Sequence, residues 1–309
     1  RRHTRLQGDW SSDVCSSDLL LLTIFTFYPL VKTILISIFS QYNPMTDTFG
    51  SYLDLAAYGA IFNDPYFITA IGNTMILVFI SVPISTGLAL LIAVALNSIK
   101  PLQKIFQTIF FLPYVTNGLA IGMVFSVMFS HPLTEGLMAE GLINTLFGIS
   151  RDWVGVTAER SSWMFVVLIY SIWNGLPFKI LVFIGGLQNI SKQYYDAAKI
   201  DSTPKRRILR HITIPLLSPL ISYILITSFI GAFKAYESVL AVAGTTGRLL
   251  DRNRWTAVAY VYDKIGNVGL DGNFISYYSR GAASAVILFI IILIFTFINL
   301  NVSKKRVHY

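Results

Sequence analysis

Residues 188–219 read QNISKQYYDAAKIDSTPKRRILRHITIPLLSP, a polar and basic stretch that separates the apolar run 163–186 from the run 216–243. Its Lys192, Lys199, Lys205, Arg206, Arg207 and Arg210 keep it out of hydrocarbon, where each charge is costly. Ser191 is placed to cap a short helix through Tyr194, Tyr195, Ala197 and Ala198, because its hydroxyl accepts from N–H groups that the first helical turn leaves unpaired. Asp201, Ser202, Thr203 and Pro204 read as a turn, with Pro204 opening a second, basic helix. Pro215 and Pro219 punctuate entry into the next apolar run. The expectation is a helix–turn–helix element on a membrane face, with small Ala197 and Ala198 leaving room for a partner surface.

Outward from that element the chain is apolar on both sides. Hydrophobic residues make up 54% of the 309 and charged residues only 13%, and the mean hydropathy is +0.61. These values exclude an ordinary soluble globule. A helix crosses about 30 Å of hydrocarbon with about 20 mostly apolar residues, because its backbone satisfies its own hydrogen bonds. Six such stretches occur, at 19–40, 68–97, 105–130, 163–186, 216–243 and 277–300. The fold class expected is all-α and membrane-embedded: six transmembrane helices, with the helix–turn–helix between the fourth and fifth. Residues 19–309 read as a single transmembrane domain, since no connection is long enough for a separate one.

The net charge of +8 does not point to nucleic acid, because the basic residues cluster between apolar runs. The loops 99–104 and 190–214 and the tail carry eleven Lys and Arg, against six in the alternate loops. Cytoplasmic loops retain this excess, so both termini and the 190–214 loop are expected in the cytoplasm. Residues 1–18, RRHTRLQGDWSSDVCSSD, are polar and Ser-rich, hold the only cysteine, Cys15, and meet the apolar run abruptly. They read as an extension or a non-native assembly scar, and not as a signal peptide. One cysteine forms no intrachain disulfide framework and no multi-cysteine metal site. The four histidines are scattered, without HExxH or paired spacing, so no metal site is expected. No Gly-x4-Gly-Lys-Ser/Thr loop and no Gly-x-Ser-x-Gly elbow occurs, so neither ATP binding nor hydrolase chemistry is expected of this chain and no residue is catalytic.

Asp196-Ala197-Ala198, Lys199-Ile200, Asp201-Ser202-Thr203 and, further on, Ile212-Thr213-Ile214-Pro215 keep the spacing of a known signature. It is the Glu-Ala-Ala, two residues, Asp-Gly-Ala, then Ile-x-Leu-Pro loop of the membrane subunits of binding-protein-dependent ABC importers. Phe111-Leu112-Pro113-Tyr114, Trp173-Asn174-Gly175 with Pro177 and Phe178, and Gly281-Ala282-Ala283-Ser284-Ala285 resemble the sugar-type members, the maltose and glycerol-phosphate permeases. The chain departs from the signature with Asp for Glu, Ile for Leu, and Ser202-Thr203 for Gly-Ala.

The resemblance implies a permease subunit of an ATP-driven importer in a prokaryotic cytoplasmic (inner) membrane. It would form half of the path for a carbohydrate delivered by an extracytoplasmic binding protein. It implies a second permease subunit, related but different, and two ATPase subunits that hold ATP and Mg, this chain binding no cofactor. The loop 190–215 would dock on an ATPase through Tyr195, Asp196, Ala197, Ala198, Asp201, Ser202, Ile212 and Pro215.

Sugars are bound by flat aromatic faces and hydroxyl-pairing side chains. Trp173, Asn174, Gly175 and Phe178 in the fourth span, and Ser228, Phe233, Lys234, Tyr236 and Glu237 in the fifth, supply that mixture. Of the charges within spans, Lys32, Lys179 and Arg280 read as snorkelling to an interface. Lys234 and Glu237, at i and i+3, share a face of a continuous helix and pair or line the path. An ion-gradient-driven secondary transporter of a small polar solute, using Lys234 and Glu237, is the alternative. A passive channel is a third reading, and both leave the loop without a purpose. Pro113 is the proline best placed for a working bend.

Overall fold

The computed structural model describes residues 18–39, 42–50, 53–99, 103–131, 140–155, 157–243, 252–266 and 274–306. Cys15, Trp10, His3, His308, Lys100 and Arg248, and the reading of the N-terminal segment as a scar, lie outside the described residues. Among the described residues there is no strand, only an isolated bridge between Asn43 and Thr48. The helices are α1 (Asp18–Ile38), α2 (Ala56–Phe62), α3 (Pro65–Ser98), α4 (Gln103–Val115), α5 (Gly118–Met128), α6 (Leu142–Phe147) and α7 (Arg160–Asn189). There follow α8 (Lys192–Ile200), α9 (Lys205–Leu216), α10 (Ser218–Phe233), α11 (Glu237–Ala243), α12 (Ala257–Gly266) and α13 (Phe274–Arg306).

Among the described residues, four helices are long and apolar enough to cross a membrane: α1, α3, α7 and the Tyr277–Lys304 stretch of α13. They coincide with the first, second, fourth and sixth predicted spans. The third and fifth differ from expectation. Ile105–Val115 and Gly118–Met128 meet at a bend of 93°, and Lys205–Leu216 meets Ser218–Phe233 at 69°. Counting each bent pair as one span gives six. The fifth is interrupted again between Phe233 and Glu237. Pro113 lies just before the first of these breaks, whereas α3 and α7 run unbroken through Pro83 and Pro177.

The chain packs as two compact units, one formed by the stretch up to Pro65 with Tyr260–Ile290, the other by Tyr66–Ala259 and the stretch from Ile291 onward. In the first, α1 exposes nearly all its apolar side chains and is held at its end by polar contacts. Lys32 reaches out to Asp47 at 2.9 Å, the interfacial snorkelling expected of it, and Tyr42 donates to the same carboxylate at 2.7 Å. The Lys32 ammonium, then the Tyr42 hydroxyl, holds Asp47 below the usual carboxylate range. Ser279 donates to the Phe39 carbonyl at 2.7 Å, and Tyr260 to Asp64 at 2.7 Å. Arg280 lies over the Tyr277 ring at 5.9 Å.

In the second unit α3 and α7 supply most of the core. Along α3 the buried positions Ala70, Thr74, Leu77, Ser81, Ser85, Ala89, Ala93 and Leu96 recur every three or four residues, one helical face. Small side chains dominate that face, which lets helices approach closely in lipid. An outer cluster joins Leu77, Trp163, Val166, Val167 and Tyr170 to Val239 and Val242 of α11. An inner cluster joins Ala89, Ala93, Ile180, Phe183 and Ile184 to Leu217 and Ile224.

The tightest approach is between α5 and α11. A Cβ at Gly122 would stand 2.0 Å from the Ala241 Cβ and 3.0 Å from its backbone. Gly122→Val therefore forces the two helices apart and destabilises the unit by about 1–3 kcal/mol, the usual effect of overpacking. Gly87, with nothing within 4 Å of an added Cβ, tolerates alanine. Thermal unfolding of the two purified variants in one detergent is expected to show a lower midpoint for Gly122→Val only.

Candidate functional site

The break in the third span opens at Thr116–Asn117, and its backbone groups are satisfied locally. The Asn117 side chain accepts from the Leu119 N–H at 2.9 Å, capping α5. Tyr170 of α7 donates to the Gly118 carbonyl at 2.8 Å. The two halves then grip α7 with rings on either side of the break. Tyr114 stacks on Phe178 at 5.8 Å and 22°, with Phe111 next to it at 5.5 Å. Phe125 lies 5.5 Å from Trp173 and edge-on to Tyr170 at 5.3 Å. Asn174 and Gly175 lie between Trp173 and Phe178 in sequence and are half-buried, while Trp173, Phe178 and Tyr114 each keep more than a third of their surface exposed. The result is two part-exposed ring clusters, Tyr114 with Phe178 on one side of the break and Phe125 with Trp173 on the other.

Of the fourth-span predictions, Phe178 lies in the first cluster and Trp173 in the second, with half-buried Asn174 and Gly175 on the helix between them. Tyr114, Phe125 and Tyr170 belong with them, and Tyr114 stood inside the quoted Phe-Leu-Pro-Tyr motif. The fifth-span predictions disperse. Phe233 is buried against Phe295 at 5.2 Å, a core contact and not a wall. Lys234 caps the end of α10 and Glu237 starts α11, so no continuous helix puts them on one face. No ion pair joins them among the described residues, and both are exposed. Glu237 instead brings a carboxylate oxygen within 3.9 Å of the Cβ position of Gly118, where Tyr170 also lies. Ser228 and Tyr236 are half-buried. Thr256 donates to the Ala235 carbonyl at 2.9 Å, satisfying an acceptor inside the fifth-span interruption.

Lys179 does not snorkel. Only 6% exposed, it donates to Ser85 of α3, and its ammonium lies 3.6 Å from where a Gly175 Cβ would be. It ties the second span to the fourth across the membrane interior.

At the other end of the second unit α8 and α9 form the hairpin read from the sequence. Ser191 accepts from the Gln193 N–H at 3.4 Å, and Pro204 takes the position before α9, one earlier than expected. Ser202 adopts a left-handed conformation, φ 49°. Ser202 N–H donates to Lys199 O at 3.0 Å and Thr203 N–H to Ala198 O at 2.9 Å, the paired bonds of a Schellman helix end. The signature's Gly stands where such a turn favours glycine. Serine closes it at a penalty of roughly 1–2 kcal/mol.

Ala198, 6% exposed, faces the chain, while Tyr194 and Ile200 point outward, Ile200 at 84%. Ala197 and Asp201 are exposed as well. Tyr195 meets Thr213 at 3.3 Å, and Asp196 accepts from Lys199 at 2.8 Å. That ammonium lowers the Asp196 carboxyl below its ordinary range. The pair's contribution is therefore complete above the ordinary carboxylate pKa and is lost as pH falls through the lowered value. An open hollow of about 610 Å³ runs between the two helices, with Ile212, Arg207 and His211 on its far side. Pro215 lies within α9, after a π-turn over Leu209–Thr213.

Broken spans meeting beside an exposed aromatic surface, with a paired helix on the opposite end, define a transport permease. Over residues 85–308 the sequence matches the binding-protein-dependent transport system inner membrane components, and the chain belongs to that family. It is the permease subunit of an ABC importer and a multi-pass membrane protein. It is 30% identical to the arabinooligosaccharides transport system permease AraP of Bacillus subtilis, over 92% of this chain and 85% of that one. It is 28% identical to the lactose transport system permease LacF of Rhizobium radiobacter, over 93% and 91%. In fold it matches a chain of the bacterial alginate ABC transporter solved with an alginate pentasaccharide-bound periplasmic protein, with a TM-score of 0.77 and 19% identity over 99% of this chain and 98% of that one.

Because the Ser85 hydroxyl is the partner of a buried ammonium, Ser85→Ala should destabilise the protein by roughly 1–3 kcal/mol, the penalty of an orphaned buried polar group. Lys179→Met removes the charge along with its need for a partner and should be near neutral. Melting midpoints of the two variants in the same detergent check the order.

Proposed function

We propose that this permease forms half of the path for a carbohydrate handed over by an extracytoplasmic binding protein. The surface made by Tyr114, Trp173, Asn174 and Phe178 is the observation that carries the reading. Flat rings suit the apolar faces of sugar rings, and the Asn174 amide suits exchange of hydroxyl hydrogen bonds. The names of AraP and LacF, one an arabino-oligosaccharide system and one a lactose system, support a carbohydrate cargo. A second permease subunit, related but different, completes the path, because this surface is open to one side.

In the same reading the α8–α9 hairpin, with Asp196, Asp201, Ile212 and Pro215, docks on one of two ATPase subunits that carry ATP and Mg, and this chain binds none. Tyr194 and Ile200 are its exposed apolar contacts, and Lys and Arg steer it to an acidic rim. Both termini are cytoplasmic, the side that the basic loops favour. The ion-driven alternative rested on Lys234 and Glu237 sharing one helical face, and the interruption between α10 and α11 removes that motive.

Ile200→Asp should abolish copurification of the ATPase subunit and leave the melting midpoint of the isolated permease unchanged. Ser202→Gly should retain assembly, since glycine suits the turn. Retained assembly in Ile200→Asp would count against docking through this helix. Trp173→Ala, in proteoliposomes containing the complete importer, should cut uptake at least tenfold while binding-protein-stimulated ATP hydrolysis persists, an effect of the size expected for losing about 1.4 kcal/mol or more of cargo stacking.

A further inference from the structure

The short helix α6 has no part in either reading above. One of its sides is fixed to the second unit. Asn144 is fully buried, donating to the Arg151 carbonyl at 2.9 Å and accepting from the Trp153 indole at 2.8 Å, and Ile143 packs on the outer cluster. The Gly141 N–H donates to the Ser130 carbonyl at 3.1 Å, which sets α6 against the end of α5, where the third span finishes.

Among the described residues, the other side is apolar and exposed. Leu142 and Leu146, at i and i+4, are exposed, Leu146 at 67%; Phe147 beside them is exposed at 69%, and Ile149 is exposed past the left-handed Gly148 that ends the helix. Charged groups nearby are engaged elsewhere: His131 and Glu140 lie 3.4 Å apart, and Arg151 and Glu159 3.4 Å apart.

Exposed apolar residues of two candidate membrane spans lie near α6, linked to it through Trp153. Val124 and Val127 on α5 and Phe165 near the start of α7 are exposed apolar residues of membrane spans. Trp153 bridges the two settings, with its ring 5.9 Å from Phe165 and 6.0 Å from Phe129 and the Arg151 guanidinium 5.1 Å over it.

We infer that α6 is a lipid-seated foot: Leu142, Leu146, Phe147 and Ile149 insert at the boundary between headgroups and acyl chains of the leaflet opposite the α8–α9 hairpin. Only the identity of that leaflet as the outer one rests on the orientation proposed above.

The test places a nitroxide at Phe147→Cys in the complete importer, reconstituted in phosphatidylethanolamine–phosphatidylglycerol vesicles, with Cys15→Ser as background. Val127→Cys and Ser150→Cys serve as lipid and water references. Collision with oxygen should exceed collision with a water-soluble nickel chelate at residue 147, placing the label roughly 5–10 Å below the phosphates. Adding cargo-loaded binding protein should leave that ratio unchanged. Nickel access at 147 equal to that at 150, or shielding from both reagents only when binding protein is added, would overturn the inference, the second outcome making α6 a protein-docking face. If Phe147→Cys fails to assemble, Leu146→Cys carries the label with the same criteria. An impermeant thiol reagent at Ser150→Cys reports the leaflet separately: labelling from the cytoplasmic side alone would sink the proposed orientation and leave the lipid seating standing.

Discussion

A backbone carbonyl or N–H left unpaired in hydrocarbon costs several kcal/mol, and at the points where this chain breaks two spans side chains bond to part of the backbone there. At the third span the Asn117 side chain caps the new helix and Tyr170 covers the Gly118 carbonyl. At the fifth, Thr256 reaches the Ala235 carbonyl from the segment before α12. That segment is itself fixed by Asn73, which donates to the Asn253 and Trp255 carbonyls and accepts from Arg160. The interruptions are thus built positions, held by side chains from other spans. They bring Gly118 and Glu237 together and leave the aromatic surface beside them.

Charge obeys the same constraint. Lys32 escapes to Asp47 outside the hydrocarbon, and Arg280 rests over a tyrosine ring. Lys179 stays inside with a serine hydroxyl as its partner. It was read as snorkelling because its span position alone says nothing about a partner on another helix. Ser85 is separated from it by nearly the whole of two spans, and only packing of α3 against α7 reveals the pair.

What the sequence made legible was whatever depends on runs and local spacing. Hydropathy located α1, α3, α7 and α13, and the Ser191 and Pro204 punctuation located the α8–α9 hairpin. The breaks were not legible, because a bent pair and a straight span have the same apolar composition. From that one gap came the misreading of Lys234 and Glu237 as neighbours on a helical face. Phe233 looked like a path wall by residue type, but its ring goes to Phe295. Trp173, Asn174, Gly175 and Phe178 were read as a group because they lie close together in the sequence. Their companions Tyr114 and Phe125 join them only through the fold, whereas Tyr170 stands one turn before Trp173 in the same span.

The close crossing of Gly122 and Ala241 also bears on how the protein is made. Ala241 emerges from the ribosome long after Gly122, with the fourth span and the hairpin between them. At ordinary elongation rates that delay is on the order of ten seconds. Through that interval the small-residue face of α5 has no protein partner, and the bent third span waits in the bilayer or against the insertion machinery until the fifth arrives. Closure of this crossing is therefore a late step of biogenesis, followed by the packing of the stretch from Ile291 onward, whose Phe295 meets Phe233.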